Sequence, residues 1–286
     1  MPSQTSIIQS IYDERSPNYD TSHHGALAEA YIRTAAPREG ESVLDLACGT
    51  GLVSLLAEQA VGKSGLVVGI DISLGMLDVA RRKAQQTGSN VTFLQHDISD
   101  LSDVGLERFL LLPRGEEEEE KEKEEGFDLI TCAAALVLLP DPGRAVKNWM
   151  RWLKPGGRIV TDVAARDVHV PSRIFKRISG DLGVNLVWDE SWVQGEWSLR
   201  ELLEGAGLVV KTVFLTESFQ DRVYKVEDAG DLFEKSVASP MFRNFGGEGI
   251  RGEARRLFVE RFAEEAGAEG VLVDEAKMYM AVAYKQ

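Results

Sequence analysis

Apolar residues fall along the chain in two alternating rhythms. Short, nearly unbroken runs at 42–51 (SVLDLACGTG), 65–73 (GLVVGIDIS), 90–97 (NVTFLQHD), 127–139 (FDLITCAAALVLL) and 158–163 (RIVTDV) read as buried strands. Between them, 51–62 and 74–86 carry apolar residues at helical spacing and stop at Gly62 and Gly88, and 101–112 adds a short helical piece. Asp141-Pro142 opens a further helix through Leu153, with the acid as cap and proline at the first helical position. Lys154-Pro155-Gly156-Gly157 reads as a tight turn into the fifth strand. Upstream, 6–33 reads as one or two helices broken at Ser16-Pro17. Downstream, Ser198-Leu199-Arg200-Glu201 is a capping box that opens a helix ending near Gly205–Gly207. Residues 208–218 and 277–285 read as two more strands.

Strands alternating with helices predict an α/β protein, doubly wound, with a parallel sheet covered on both faces. No internal repeat interrupts it. The expected organisation is one domain over 1–286, with a core of about 34–163, 198–220 and 277–285. A mostly helical cap is expected from 1–33, 164–197 and 221–276, outside the alternation.

Charge adds one feature. The chain carries −14, of which residues 116–125 (EEEEEKEKEE) contribute −6. Like charges repel and bury nothing, so 113–126 is expected to be a flexible, solvated insert. The remainder is still acidic, a poor partner for nucleic acid or an anionic membrane surface. No run of 18 apolar residues is present to span a membrane, and MPSQTSIIQSIYDERSP lacks the basic start and apolar run of a secretory signal. The two cysteines, Cys48 and Cys132, have no metal spacing, and a cytoplasmic location is expected.

The informative segment is Asp45-Leu46-Ala47-Cys48-Gly49-Thr50-Gly51, which follows a strand and opens a helix. Ligands of such sheets bind beyond the carboxyl ends of the strands. Gly49 and Gly51 permit a tight turn and close approach of backbone to ligand. A dinucleotide fingerprint wants a third glycine where Ser54 stands, and Asp45 is unfavourable beside a pyrophosphate. The same acid suits a ligand with an ammonium and a sulfonium, as in S-adenosylmethionine. Asp71, ending the second strand, suits a ribose and is common to both ligand types. Asp97 and Ile98, ending the third, suit an adenine edge and ring.

These motifs, VLDLACGTG (43–51), VVGIDIS (67–73), QHDIS (95–99), FDLITCAAAL (127–136), LPDP (139–142) and LKPGGRIV (153–160), resemble class I S-adenosylmethionine-dependent methyltransferases. The nearest likeness is to the small-molecule group that includes the ubiquinone and menaquinone biosynthesis enzymes, and YDERSPNYD (12–20) is similar to a paired Tyr-Asp signature preceding many of those domains. The resemblance covers most of 12–163 and only the outline of the last third. It implies a Rossmann-like seven-stranded sheet whose antiparallel last strand, 277–285, inserts between the fifth and sixth. It further implies that Gly49 and Gly51 line the methionine part, with Asp45 near its ammonium. Asp71 would take the ribose, Ile72 and Met76 flank the adenine, and Asp97 and Ile98 read its edge. Ala133 would sit beside the sulfonium, while Tyr12 and Tyr19 close over the cofactor.

The activity so implied is methyl transfer to a small, aromatic or hydrophobic acceptor, such as a natural product or quinone-like compound. Two alternatives share the fold: an enzyme of elimination or cyclisation, and a non-catalytic, cofactor-binding regulatory partner. Only a protonated acceptor needs a base. His169, after the fifth strand, and His24, beside the Tyr-Asp pair, are the candidates; His96 is expected to pack locally. No metal cluster is apparent. Phe175, Trp188, Trp192, Trp197, Phe233, Phe242 and Phe245 form either a wall for a flat acceptor or the cap's own core.

Overall fold

The computed structural model describes residues 3–110 and 126–286, so most of the expected insert at 113–126 lies outside the described residues. The chain opens with helix α1 (Gln4–Arg15), a 3₁₀ segment (Ser16–Thr21) and α2 (His24–Ala35). The alternation follows: β1 (Ser42–Leu46), α3 (Leu52–Val61), β2 (Leu66–Asp71), α4 (Leu74–Thr87), β3 (Thr92–Gln95), α5 (Glu107–Leu110), β4 (Phe127–Cys132), α6 (Pro142–Trp149) and β5 (Leu153–Ala164). Next come α7 (Val170–Leu182), α8 (Glu196–Gly205), β6 (Val209–Leu215) and β7 (Asp221–Lys225). The chain ends with α9 (Ala229–Ala238), α10 (Arg251–Ala266), β8 (Val271–Glu275) and β9 (Met278–Tyr284).

Seven strands form one sheet in the order β3-β2-β1-β4-β5-β9-β6. The first five are parallel, and β9 runs antiparallel to both β5 and β6, the insertion the resemblance implied. Each face is covered by its own apolar cluster. Trp149, Leu199 and Leu203 of α6 and α8 pack on one side; Tyr31, Val53, Ala57 and Leu77 of α2, α3 and α4 pack on the other. Burial on both faces explains why the strands read as continuous apolar runs rather than alternating ones.

Local chemistry sets the helix starts. Ser73 accepts a hydrogen bond from the Met76 N–H at 3.1 Å at the head of α4. Asp141 accepts from Arg144 N at 2.9 Å ahead of Pro142. Both satisfy amides that a helix start leaves unpaired.

Four local expectations are corrected. The helix expected to open at Ser198 begins two residues earlier at Glu196, and the Ser198 hydroxyl accepts from Gln194 N at 2.9 Å instead of capping forward. Lys154–Gly157 is a bulge within β5: Leu153 pairs with Phe127 and Arg158 with Leu129, so five residues on one strand advance against two on the other. The cap also contains a two-stranded antiparallel ribbon, β7 with β8, besides its helices. Of the helical piece expected over 101–112, the described residues form a helix only over Glu107–Leu110.

The aromatic residues of 175–245 resolve into the cap's own core. Phe175 lies at the centre, 4.5 Å from Phe242, 4.7 Å from Phe245 and 4.9 Å from Phe258 between ring centroids. Phe233 and Trp188 join the same cluster. Trp192 packs instead against the sheet core, and Trp197 is exposed.

Gly51 joins fold to site. It holds φ +79° ahead of α3, and an added Cβ would lie 3.0 Å from the Phe93 ring and 3.1 Å from Ala80. Gly51→Ala therefore combines a left-handed backbone with crowding, and is expected to cost about 1–3 kcal/mol in urea unfolding.

Candidate functional site

Loops at the carboxyl ends of β1, β2, β3 and β4 meet under the N-terminal helices. They enclose a cavity that opens to solvent, at the strand ends where ligands of such sheets bind. Its walls include Tyr12, Tyr19, Gly49, Asp71, Ile72, Asp97, Ile98 and Ala133. Thr5 and Ile8 of α1 and Leu138–Pro140 after β4 add apolar surface. A second chamber shares Tyr19, Ala47, Gly49, Ala133 and Ala134, and adds Asp45, Cys48 and His24. The two chambers adjoin through these shared residues, and eight of the eleven candidate cofactor residues line the first, with Asp45 in the second.

Gly51 and Met76 are placed elsewhere. Gly51 packs on Phe93 as described, and Met76 is fully buried at the start of α4, outside the cavity lining. Both support the loops from behind.

Buried carboxylates hold those loops in shape. Asp71 accepts from Gly49 N and from Ser73 N, each at 2.8 Å, and so ties the β1–α3 loop to the β2–α4 loop. Asp45 accepts from the Ser54 hydroxyl at 2.5 Å and the Thr131 hydroxyl at 2.8 Å, joining α3 and β4 to β1. Asp162 on β5 accepts from Ala134 N at 2.7 Å and from the Tyr31 hydroxyl. It thereby supports the turn in which Ala134 takes φ +52°. Burial raises the carboxyl of Asp45 to about 6 and that of Asp162 to about 6, and also raises Asp71.

The N-terminal segment is pinned to the rim by two further acids. Asp13 accepts from the Ser73 hydroxyl at 2.6 Å and from Gly75 N at 2.9 Å. Asp20 accepts from the Thr50 hydroxyl at 2.5 Å and pairs with Lys83 at 2.5 Å. These contacts carry Tyr12 and Tyr19 to the cavity with ring centroids 6.2 Å apart. The Arg15 guanidinium lies over both rings, 5.0 and 5.6 Å from their centroids. Neither Arg15 nor Asp13 was given a role from the sequence, although both belong to the YDERSPNYD motif.

The two candidate bases separate. His24 lines the second chamber, stacks on Tyr19 with centroids 4.0 Å apart and bonds the Ser22 hydroxyl through Nδ1. Burial, then the neighbouring His23, pushes its imidazole down to about 3. His169 does not line either chamber. It caps α7, accepting from Ser172 N through Nδ1 at 3.3 Å, and lines a different cleft in the cap. His96 lines the first chamber, where its Nδ1 bonds the Asp97 carbonyl at 2.9 Å. Among the described residues, no group of three or more His, Cys, Asp or Glu side chains has metal-binding geometry.

Asp71 thus braces the site as well as lining it. Asp71→Ala frees two backbone donors, and is expected to lower stability by roughly 1–3 kcal/mol in denaturant titrations. Unchanged stability would refute the bracing role.

Comparison with known proteins places the chain in a family and a fold. The family profile described as a methyltransferase domain matches residues 37–179. The demethylmenaquinone methyltransferase of Oceanobacillus iheyensis is 27% identical over 215 residues, covering 70% of this chain and 83% of that protein. The ubiquinone biosynthesis O-methyltransferase of Coxiella burnetii is 33% identical over 130 residues. That match covers 45% of this chain and 46% of the relative, about half of each. The crystal structure of magnesium protoporphyrin IX methyltransferase from Synechocystis PCC 6803, with bound SAH, shares the fold at a TM-score of 0.52 and 15% identity. The superposition covers 92% of this chain and 84% of that one.

Proposed function

The chain belongs to the methyltransferase-domain family, whose profile spans residues 37–179, and on that basis we propose that it transfers a methyl group from S-adenosylmethionine to a small acceptor. The observation that carries this reading is the pair of desolvated acids, Asp71 and Asp45, in adjoining chambers that both include Gly49. Their chemistry fits the cofactor. A buried carboxylate with a raised pKa gains most from a cation or a hydroxyl donor placed against it. Asp45 would receive the ammonium and Asp71 the ribose hydroxyls. Ile72 and Ile98 would flank the adenine, Asp97 would accept from its amino group, and Ala133 would border the sulfonium.

When bound, the cofactor supplies an activated methyl group on a cationic sulfur. The protein's task is alignment and exclusion of water. Tyr12 and Tyr19 cover the cavity, and the turn at Ala134, held by Asp162, fixes the wall between the two chambers. His24 faces the chamber beside Ala133 and is neutral at working pH. An imidazole held near 3 is a weak base. The site therefore suits an acceptor whose nucleophilic atom is already unprotonated, such as an acidic phenol, a quinol-derived anion or a soft carbon. An aromatic or quinone-like acceptor is in keeping with the names of the quinone-pathway relatives and with the apolar lining from Ile8, Leu138 and Leu139.

The primary test is isothermal calorimetry with S-adenosylmethionine from pH 4.5 to 8. Ionised Asp45 is the form that holds the ammonium, and its carboxyl in the free site titrates near 6. Affinity should therefore rise up to about tenfold per pH unit below 6, with proton release on binding, and level off above about 7. Asp45→Asn should weaken binding and flatten the profile. Absence of binding at every pH would refute the cofactor assignment.

The role of His24 is tested by single-turnover rates of His24→Asn across pH 6–9. Loss of about tenfold, with no new pH break, is expected for a positioning residue. A loss of roughly 10²–10⁴-fold would instead make it the general base.

A further inference from the structure

The ribbon of the cap leaves one edge of β7 open. Among the described residues, β7 pairs with β8 alone. Two bonds flanking the ribbon set its hydrogen-bonding pattern: Ala276 N donates to the Gln220 carbonyl and Val226 N to the Gly270 carbonyl, each at 3.0 Å. Bonded pairs alternate along an antiparallel ladder, so 222/274 and 224/272 exchange bonds between these two. Asp221, Val223 and Lys225 therefore turn their N–H groups away from β8. The opposite strand obeys the same alternation, since Glu275 N points off the ribbon to the Val168 carbonyl at 3.3 Å. The outer edge of β8 is thus engaged at Glu275, whereas Asp221, Arg222, Val223 and Lys225 are all exposed along β7.

The two faces of the ribbon differ as well. Leu272 and Asp274 are buried and Tyr224 is half-buried on the face towards the cap. The other face carries Val223, 63% exposed, directly across from Val273, 48% exposed. Val223 is the most exposed large apolar side chain among the described residues. On the same face it stands midway between opposite charges, Asp221 two residues before and Lys225 two residues after. Lys225 reaches Glu227 at 3.5 Å, but that pair is exposed and holds the lysine weakly.

Charge on a free edge ordinarily repels a second strand. Here it makes the strand complementary to itself. When two β7 strands run antiparallel about a two-fold axis at Val223, each Asp221 lies opposite Lys225 of the second copy and Val223 lies opposite its own counterpart. Parallel pairing would instead set like charges side by side. A slip of one residue would bring groups already bonded to β8 against the free ones.

We propose that β7 is a self-association edge, through which two copies of this chain pair antiparallel over Asp221–Lys225 about an axis at Val223. The two ribbons then form one four-stranded sheet, with Val273, Val223 and their counterparts in a row across its outer face. Val223 exchanges main-chain hydrogen bonds with Val223 of the second copy, and Lys225 N donates to the Asp221 carbonyl across the axis. Each copy carries −14, so long-range repulsion opposes the contact and the local complementarity must overcome it. The inference is independent of the methyl-transfer reading.

Sedimentation velocity of the full chain tests it. Edge pairing buries little area, so the 31.5 kDa monomer should convert to dimer within about 1–100 μM, measured in physiological salt. Val223→Pro removes an N–H that β8 does not use and should abolish the dimer. Asp221→Lys and Lys225→Asp each set like charges opposite one another, and each should weaken association about tenfold or more. Mixing those two charge variants in equal amounts should restore the dimer, because each strand then meets its opposite. Cooperative thermal unfolding checks that every variant is folded, and the exposed charge variants decide the matter if Val223→Pro is not. A wild-type chain that stays monomeric over this range, a dimer that survives both charge variants, or a mixture of folded charge variants that stays monomeric would overturn the proposal.

Discussion

Three carboxylates buried at the carboxyl edge of the sheet govern everything above them. Asp45, Asp71 and Asp162 sit on β1, β2 and β5, almost wholly out of solvent. Desolvation makes such groups costly unless their oxygens are engaged. Here each engages the backbone or hydroxyls of a neighbouring loop: Ser54 and Thr131 for Asp45, Gly49 and Ser73 for Asp71, Ala134 and Tyr31 for Asp162. The loops that wall the site are thus fixed by the groups that need them. One oxygen of Asp162 remains buried without a partner. The raised carboxyl pKa values of Asp45 and Asp71 lie where the proposed cofactor, cationic and rich in hydroxyls, would relieve them.

The cap works by a different division of labour. Its aromatic residues are consumed by its own interior, where Phe175 contacts four other phenylalanines. That interior also takes in Val137 and Leu138 from the loop after β4, and the β7–β8 ribbon places Arg222 and Tyr224 on a cleft of the cap. In the proposed reading an acceptor would meet the His24 imidazole and the apolar rim of α1 rather than a wall of tryptophan. In that reading, alignment would take the place of strong base catalysis, as suits a donor that is already activated.

The strand–helix alternation, the doubly wound sheet and the principal acids were legible in the sequence, because each is written in local signals. Apolar runs mark strands buried on both faces, Ser73 and Asp141 mark helix starts, and Asp45, Gly49, Asp71 and Asp97 follow strands at the edge where ligands bind. Such signals depend on neighbours within a few residues, so one chain suffices to read them. The register of β9 between β5 and β6 was implied by resemblance alone.

What the tertiary structure decided are relations between segments far apart in the chain. Gly51, local in the motif, turns out to pack against Phe93 and Ala80 of other elements, and Met76 is fully buried outside the cavity lining. Ser198 loses its capping role since Gln194 claims its hydroxyl. His169 and His24, equal candidates by sequence, part company: one caps a cap helix, the other is desolvated against Tyr19. Asp162 and Tyr31 are separated by 131 positions and carry no motif between them. A buried carboxylate finds its donors across the fold, and no local pattern records which distant hydroxyl or amide will satisfy it.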